Sequence, residues 1–353
     1  MEMTSKERCL AVMRNEIPDR IPVVPQSFMF SVETAGFRIS DVNRNGKRMA
    51  QSHIISQKKY GYDGCVIDFD DASIAEACGA KVIFREDEPA IVDESDPVLK
   101  DLRDVYNLEV PDPLRAGRLP EWLAATSTLV EAIGEDVLVM GRADQGPFSV
   151  ACLLRGTQQF MMDLVMEDKQ VINDVIEFCR KACVAFAKAQ KDAGAHVTSI
   201  GDALAGPNLV SPAMYREFAL IPEKKLTREV QDYGIPYSIH ICGNTNAIIG
   251  DLASTRAKIL EVDWQVNMAD ARKKVPLSTV LMGNINPGDP MVFGTSEKVD
   301  ETARKIIEDT KGKGLFLSTG CAMGRNTPHE NFVAMINAAK KYGTCEQIMA
   351  MND

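Results

Sequence analysis

The chain has 353 residues, of which 45% are hydrophobic and 25% are charged, the ordinary composition of a soluble globular protein. Its formal net charge of -10 at pH 7 excludes a general binder of nucleic acids or anionic membranes, because both functions need a basic surface. The sequence has no apolar run of about 18 or more residues and no apolar secretory core near its start. Nine cysteines without an export signal predict a reducing compartment, so we expect a cytoplasmic protein.

The first hundred residues predict helices, two strands and a β excursion. Thr4 and Glu7 have the spacing of a capping box at a helix start. Residues 20–25 predict a short strand whose prolines exclude a long central one. Residues 64–71 predict a second strand that runs into an acidic tip. Between residues 79 and 100, two apolar runs lie too close together for a strand–helix unit, which favours a local β excursion.

From about residue 119, strands and helices alternate, and this order predicts a parallel sheet because parallel neighbours need a crossover. About eight strands are predicted along the chain, the number that closes a (β/α)8 TIM barrel. They are centred near Ile21, Val66, Val137, Val197, Tyr237, Ile259, Val280 and Leu315. No composition shift marks a border, so residues 1–353 are predicted to form a single α/β barrel domain with an N-terminal helical and β excursion.

A histidine and two cysteines fall where predicted strands end. His240 and Cys242 are two positions apart after apolar β-formers, so their side chains would project from the same face of a strand. Cys321 follows another apolar run, Leu315 to Leu317. One imidazole and two thiolates are a typical zinc donor set, and three protein ligands leave a position open for chemistry. The alternative, a buried strand histidine beside unrelated core cysteines, stays open at this point.

Acidic residues also collect at predicted strand ends, where a barrel places its chemistry. Asp202 and Glu261 are favoured as catalytic candidates because their strands flank the strand that bears His240. Asp70, in the acidic tip of the second predicted strand, is a third candidate. Such a carboxylate could fill a fourth zinc position, hold His240 by a hydrogen bond, or act as an acid or base. Helix capping or loop solvation is the alternative for several of them.

Two further residues are candidates for binding a cofactor or substrate. Arg325 lies in a loop that enters a helix N-terminus, where it could clamp an acidic group. A surface arginine beside a helix cap is an equally good interpretation. Asn284 lies in the strand-end loop from Gly283 to Pro290, which suits a tight turn near a ligand. The sequence contains no dinucleotide fingerprint and no P-loop.

Several motifs resemble the uroporphyrinogen decarboxylase superfamily over nearly the whole chain. They are His240-Ile241-Cys242-Gly243-Asn244-Thr245, Val262-Asp263-Trp264 with Ala271-Arg272, Met282-Gly283-Asn284-Ile285-Asn286-Pro287, Thr327-Pro328-His329-Glu330-Asn331 and Gly146-Pro147-Phe148. The resemblance implies a barrel with one of two activities. One branch decarboxylates uroporphyrinogen without a cofactor. The other branch includes the methylcobamide:coenzyme M methyltransferases and uses zinc held by His-x-Cys and a distant cysteine.

Two departures from the decarboxylase pattern favour the methyltransferase branch. The segment from Gln26 to Phe37 lacks the two arginines that position substrate carboxylates in decarboxylases, and Cys321 stands where those enzymes have a late histidine. Their strand-end aspartate matches Asp70, with a slip to Asp71 as the alternative. The resemblance thus implies His240, Cys242 and Cys321 as ligands of a zinc ion (Zn2+).

The resemblance also implies partners for that branch. A corrinoid such as methylcobalamin would be the co-substrate, carried by a corrinoid protein. The methyl acceptor would be a small thiol similar to coenzyme M, or tetrahydrofolate. Three other functions stay open: uroporphyrinogen-type decarboxylation, methyl transfer from a donor that loads the corrinoid protein, and a zinc-loaded binding protein without turnover. No nucleic acid or membrane partner is expected, and a homodimer stays open.

Overall fold

The computed structural model describes residues 2–68 and 70–353, so Phe69, within the predicted acidic tip, lies outside the described residues. The strands are Gly64–Val66 (β1), Val82–Ile83 (β2), Ile91–Val92 (β3), Leu138–Gln145 (β4), Val197–Gly201 (β5), Tyr237–Ile241 (β6), Ile259–Val262 (β7), Val280–Ile285 (β8) and Leu315–Thr319 (β9).

Helices surround these strands. The α-helices are Ser5–Met13 (α1), Phe28–Thr34 (α2), Ile39–Val42 (α3), Gly46–Tyr60 (α4), Ser73–Ala77 (α5), Leu119–Ile133 (α6), Pro147–Arg155 (α7), Thr157–Met166 (α8), Lys169–Asp192 (α9), Pro212–Met214 (α10), Leu220–Asp232 (α11), Ile249–Ala253 (α12), Met268–Lys274 (α13), Ser296–Asp309 (α14), His329–Tyr342 (α15) and Cys345–Ala350 (α16). Short 3₁₀ helices span Leu102–Asn107, Ala203–Ala205 and Thr245–Ala247, and the π-helical turn Tyr215–Ala219 joins α10 to α11.

Seven strands form one parallel sheet in the order β1-β4-β5-β6-β7-β8-β9, with helices between them. The order follows the chain, and every neighbouring pair is parallel. This curled sheet is a TIM-like (β/α)8 barrel, which confirms the predicted fold class. All the strands of a parallel barrel end at the same face, so the residues after their carboxyl ends meet there.

The predicted first strand closes the barrel without forming a regular strand. Val23 makes an isolated parallel bridge with Leu317 of β9. Val24 N donates to the Leu317 carbonyl (3.0 Å), and Leu317 N donates to the Pro22 carbonyl (2.9 Å). On the other side, Asp63 N donates to the Val23 carbonyl (2.8 Å). Two prolines in residues 20–25 lack an N–H, so the segment fills the eighth position but cannot sustain a ladder.

The first helix covers the amino-terminal end of the barrel. The capping box of Thr4 and Glu7 is confirmed at the start of α1. Cys9, Val12 and Met13 of α1 pack into the barrel interior, whose strand residues are Val66, Leu138, Met140, Val197, Ile259, Val280, Met282 and Phe316. Because this end is covered by α1, the opposite end is the one available for a binding site.

The predicted β excursion is confirmed as a small hairpin outside the barrel. Val82 of β2 pairs with Val92 of β3 in an antiparallel ladder. Ser40 N donates to the Glu86 carbonyl (3.0 Å), which ties the hairpin to α3. Within residues 2–68 and 70–353, none of the helices combines the length and apolar character that crossing a membrane requires.

Candidate metal centre and its pocket

Strand β6 holds His240 in a buried position and Cys242 directly beyond its carboxyl end. His240 is 1% exposed and lies opposite Gly201 of β5 and Glu261 of β7. Its Nδ1 lies 3.0 Å from the Glu261 carbonyl oxygen, and its Nε2 lies 3.2 Å from Cys242 Sγ. A carbonyl that accepts from Nδ1 fixes the ring and leaves Nε2 with its lone pair directed toward the thiol.

Cys321 reaches the same point from the loop after β9. The ligand atoms of His240, Cys242 and Cys321 all lie within 4.8 Å of one another. Gly320 makes this approach possible, because a Cβ there would lie 2.2 Å from the backbone nitrogen of Trp264. Gly243, with φ of 86°, turns the chain away after Cys242, a conformation that a side chain disfavours. Two strand-end loops thus bring together the three side chains that the sequence singled out.

The donor set and its surroundings fit a zinc ion. The cluster offers one imidazole nitrogen and two sulfurs, a set of ligands that is typical of zinc sites. The contact between the two sulfurs, and then the contact with His240, lowers the pKa of Cys321, and the same contact between the sulfurs raises the pKa of Cys242. A lowered pKa favours the thiolate, which is the form that binds metals.

A cavity of about 130 Å³ opens beside the three side chains at the carboxyl end of the barrel. Its lining is Gln26, Phe28, Met29, Asp68, Asp70, Asp71, Pro89, Arg142, Gln145, Gly201, Ala203, His240, Cys242, Cys321 and Ala322. This volume holds several water molecules. Gln26, Phe28 and Met29 supply one wall, and the β2–β3 hairpin supplies Pro89 at the rim.

Arg142 is a buried cation in this cavity that the sequence analysis missed. It is 4% exposed, and its Nε lies 2.9 Å from Asp68 Oδ2 while its Nη1 lies 3.1 Å from Glu261 Oε2. Glu261 also accepts a hydrogen bond from Ser238 Oγ (2.8 Å). Gly201 leaves room for the guanidinium, because a Cβ there would lie 2.5 Å from Arg142 Nη2. The catalytic candidate Glu261 therefore balances the charge of Arg142 next to His240.

The three aspartates after β1 have different partners. Asp70 is paired with Arg118, whose Nη1 lies 2.6 Å from Asp70 Oδ2, so its charge is balanced. Asp71 accepts a hydrogen bond from Gln145 Nε2 (2.5 Å). Burial raises the pKa of Asp68 well above its ordinary value, although the nearby Arg142 opposes the shift. A catalytic role for Asp70 stays a prediction.

Asp202, the third catalytic candidate, binds the start of helix α7. Its Oδ1 accepts hydrogen bonds from the backbone nitrogen (2.8 Å) and the hydroxyl (2.7 Å) of Ser149. Its neighbours Gly201 and Ala203 line the cavity, but its own carboxylate is absent from the described lining. A carboxylate at a helix N-terminus is stabilised by the orphan N–H groups there. These contacts give Asp202 a structural role, and a catalytic one stays a prediction.

The stability of the protein is expected to depend on the protonation of Asp202. Burial raises the pKa of this carboxyl to about 6, although hydrogen bonds from Ser149 oppose the shift. The folded state then holds the proton more tightly than the unfolded state, whose pKa is about 3.9. Stabilisation that is present below pH ~4 is therefore lost as the pH rises through ~6.

The variant Asp202→Asn lacks the titrating carboxyl, so it is the reference against which the effect of Asp202 on stability can be measured. Between pH ~4 and ~7, the free energy of unfolding of the unchanged protein should fall relative to that of the variant by on the order of 2–3 kcal/mol. Urea unfolding at several pH values gives this difference, and the other titrating groups cancel because both proteins contain them. A difference that stays constant with pH would show that Asp202 does not titrate in this way.

Arg325 and Asn284, the two candidates for cofactor binding, lie around the site without contacting the three-residue cluster in the described contacts. Arg325 is partly exposed, with Nη2 3.3 Å from Glu33 Oε2 and Nη1 3.2 Å from the Asp87 carbonyl. It thus ties the hairpin to the loop after β9. Asn284 Nδ2 donates to the carbonyls of Asp263 (2.9 Å) and Val266 (2.8 Å), which holds two strand-end loops together. Their binding roles stay predictions.

Comparison with known proteins gives the site its context. A profile of the uroporphyrinogen decarboxylase (URO-D) family matches residues 4–342. A methylcobamide:CoM methyltransferase, MtbA, from Methanosarcina mazei is 28% identical over 346 residues, which cover 97% of this chain and 99% of the relative. A uroporphyrinogen decarboxylase from a Synechococcus species is 24% identical over 71% of this chain and 72% of its own length. The solved structure of a methyltransferase from Methanosarcina mazei superposes with a TM-score of 0.88 at 26% identity, covering 97% of this chain and 99% of that chain.

Proposed function

This chain belongs to the uroporphyrinogen decarboxylase family, and from that premise we propose that it moves a methyl group between a corrinoid and a small thiol at His240, Cys242 and Cys321. In this proposal the chain is a corrinoid-dependent methyltransferase, the activity that the names of its methylcobamide:CoM relatives state. The corrinoid, in a form such as methylcobalamin, is delivered by a separate corrinoid protein at the open end of the barrel.

The observation that carries the proposal is the convergence of three soft ligands beside a cavity. The ligand atoms lie within 4.8 Å of one another, and all three residues line the cavity. A structural zinc site is usually closed by four protein ligands, whereas a catalytic site keeps one position for substrate. Three ligands next to a cavity match the second description.

The three side chains would hold zinc through His240 Nε2 and the two sulfurs. Bound there, zinc would lower the pKa of an acceptor thiol and keep its sulfur in the nucleophilic thiolate form. The Glu261 carbonyl, 3.0 Å from His240 Nδ1, keeps the imidazole oriented toward the cluster. Phe28 and Met29 supply apolar walls that keep water from the reacting sulfur.

Methyl transfer from the corrinoid to the thiol requires no oxidant or reductant. The acceptor thiol loses its proton to solvent, and its sulfur forms a bond to the methyl carbon. The carbon–cobalt bond breaks as this bond forms, and both of its electrons remain on the corrinoid. The protein contributes position and electrostatics, which are the usual large terms in such displacements.

The chemistry of the cavity is unfavourable for uroporphyrinogen, which carries several carboxylates. Gln26, Phe28 and Met29 line the wall that the arginine-free segment forms, and three aspartates line the cavity near them. A substrate with many negative charges would meet carboxylates there without the bidentate arginine contacts that bind such groups best. Thiol methylation therefore fits this site better than decarboxylation.

The function can be tested by metal analysis followed by a reaction with methylcobalamin. We expect about one zinc per chain and loss of the methylcobalamin absorption under anaerobic conditions when a thiol is added. A panel of thiols and tetrahydrofolate would identify the acceptor, and the reverse reaction, with methylated thiols or other methyl donors, would identify the loading direction. Decarboxylation of uroporphyrinogen without demethylation of methylcobalamin would overturn the proposal, as would ligand binding without any turnover.

A further inference from the structure

The cavity beside the three-ligand cluster has an excess of negative charge. Among its described lining residues, Arg142 is the one permanent cation, and it is already shared between Asp68 (2.9 Å) and Glu261 (3.1 Å). Asp70 is balanced by Arg118 behind the cavity wall, but Asp71 contacts the neutral amide of Gln145. An anionic tail on a substrate would therefore have to compete with two carboxylates for one guanidinium.

Three buried polar atoms in the lining make no hydrogen bond within the described part of the chain: Arg142 Nε, which is still ion-paired with Asp68, and one atom each of Asp68 and Gln26. Asp68 is 7% exposed, and its Oδ1 makes no hydrogen bond within the described part of the chain, although Oδ2 contacts Arg142. Gln26 is 1% exposed, and its side-chain nitrogen is likewise unpaired there. A buried polar atom without a partner destabilises the fold, so a ligand that supplies the missing hydrogen bond is favoured there. Both residues line the same cavity as His240, Cys242 and Cys321.

We propose that Asp68 and Gln26 form a subsite for an ammonium group on the methyl acceptor, so that this enzyme prefers an aminothiol to a sulfonated thiol. This inference rests on the proposed function, because it assumes that a thiol binds at the three-ligand cluster. The free Oδ1 of Asp68 accepts a charge-assisted hydrogen bond from the ammonium group, whose positive charge, like that of Arg142, opposes the burial that raises the pKa of this carboxyl. An ammonium group only donates, so the Gln26 amide would rotate to turn its oxygen toward this group and complete the contact to the polar head group.

The charges around Arg142 disfavour a sulfonated thiol. A sulfonate would need the guanidinium to leave Asp68 or Glu261, and either move would strand a buried carboxylate without its counter-charge. Breaking such a buried pair on one side is strongly unfavourable, because it leaves an uncompensated buried charge. An ammonium group needs no rearrangement, since it adds a positive charge where negative charges are in excess.

The test compares thiols that differ in the charge of the tail. 2-Mercaptoethylamine and 2-mercaptoethanesulfonate have the same two-carbon spacing, and 2-mercaptoethanol is the neutral reference. With zinc-loaded protein and methylcobalamin, we expect kcat/KM for the amine to exceed that for the sulfonate by about tenfold or more, the effect of one charge-assisted hydrogen bond. Homocysteine distinguishes the source of the ammonium: a higher kcat/KM than the simple amine identifies an amino-acid thiol, whose carboxylate Gln26 would contact.

Asp68→Asn should abolish the preference for the amine. The measure is the ratio of kcat/KM for the amine to kcat/KM for the sulfonate in each protein, because differences in the intrinsic reactivity of the thiols cancel when the ratios are compared. Asp71→Asn is the matched control, because it removes an equal charge from the same cavity and should keep most of the preference. Equal losses in both variants would overturn the assignment to Asp68. An unchanged protein that prefers the sulfonate, or shows no preference, would overturn the subsite but leave the proposed function standing. Failure to methylate any thiol would instead reject the proposed function.

Discussion

Replacing Cys242 by alanine is expected to abolish stoichiometric zinc binding and to slow methyl transfer by about 1,000-fold. The variant removes one of three ligand atoms that lie within 4.8 Å of one another, and His240 and Cys321 alone make a weak zinc site. Without zinc, an acceptor thiol would keep its ordinary pKa and be mostly protonated at neutral pH. The lost activity corresponds to about 4 kcal/mol of transition-state stabilisation.

Zinc content and methylcobalamin demethylation measure the two effects on the same preparation. Cys345→Ala is the matched control, because Cys345 is also a partly buried free cysteine but lies at the start of α16. Its Sγ contacts Met349 Sδ at 3.9 Å, and it is not part of the cluster. The control should keep both zinc and activity. A Cys242→Ala protein with full zinc and full transfer would show that the assignment of the ligands is wrong.

Replacing Arg142 by methionine is expected to destabilise the fold by about 3–5 kcal/mol, because it leaves Asp68 and Glu261 buried without their shared counter-charge. Methionine keeps much of the volume of the arginine stem, so the loss would come from charge rather than from a cavity. The denaturant midpoint in urea at neutral pH gives the change in the free energy of unfolding.

An exposed ion pair supplies the control for this change. Arg14 and Glu16 are paired at 2.8 Å, with more than half of each side chain exposed. Arg14→Met removes the same type of side chain, and the midpoint should barely move because water already solvates both charges. Equal midpoints for Arg142→Met and Arg14→Met would show that the buried carboxylates find other partners. Restored stability in Arg142→Met/Glu261→Gln would support the charge explanation.

The three-ligand cluster could be predicted because its signal is local. His240 and Cys242 are two positions apart on a strand, and the side chains of a strand repeat with a period of two, so their common direction follows from the sequence. Cys321 could be added because the residues after parallel strands meet at one end of a barrel. The structure brings all three together as predicted, and the resemblance to the family is confirmed.

The charges of the pocket could not be predicted in the same way. The strand that the sequence predicts near Val137 extends to Gln145 in the structure, where Gln145 pairs with Gly201, and this extension places Arg142 inside the barrel. An arginine within an apolar run was the available signal, yet its two acidic partners come from distant parts of the chain. The orientation of the Asp202 side chain toward α7 could not be predicted either, because the position of a residue at a strand end does not determine which way its side chain points.

The segment that closes the barrel, residues 20–25, affects how the protein folds during its synthesis. Val23 bridges to Leu317, and Arg20 bridges to Thr344, so residues 20–23 cannot pair until segments that are synthesised much later are available to close the barrel. Contacts between such distant positions form slowly, because the intervening chain must be ordered first. Until synthesis passes residue 317, the edges of β1 and β9 cannot be covered together, and exposed strand edges promote aggregation. The nascent chain should therefore need protection from aggregation until residue 317 has been synthesised.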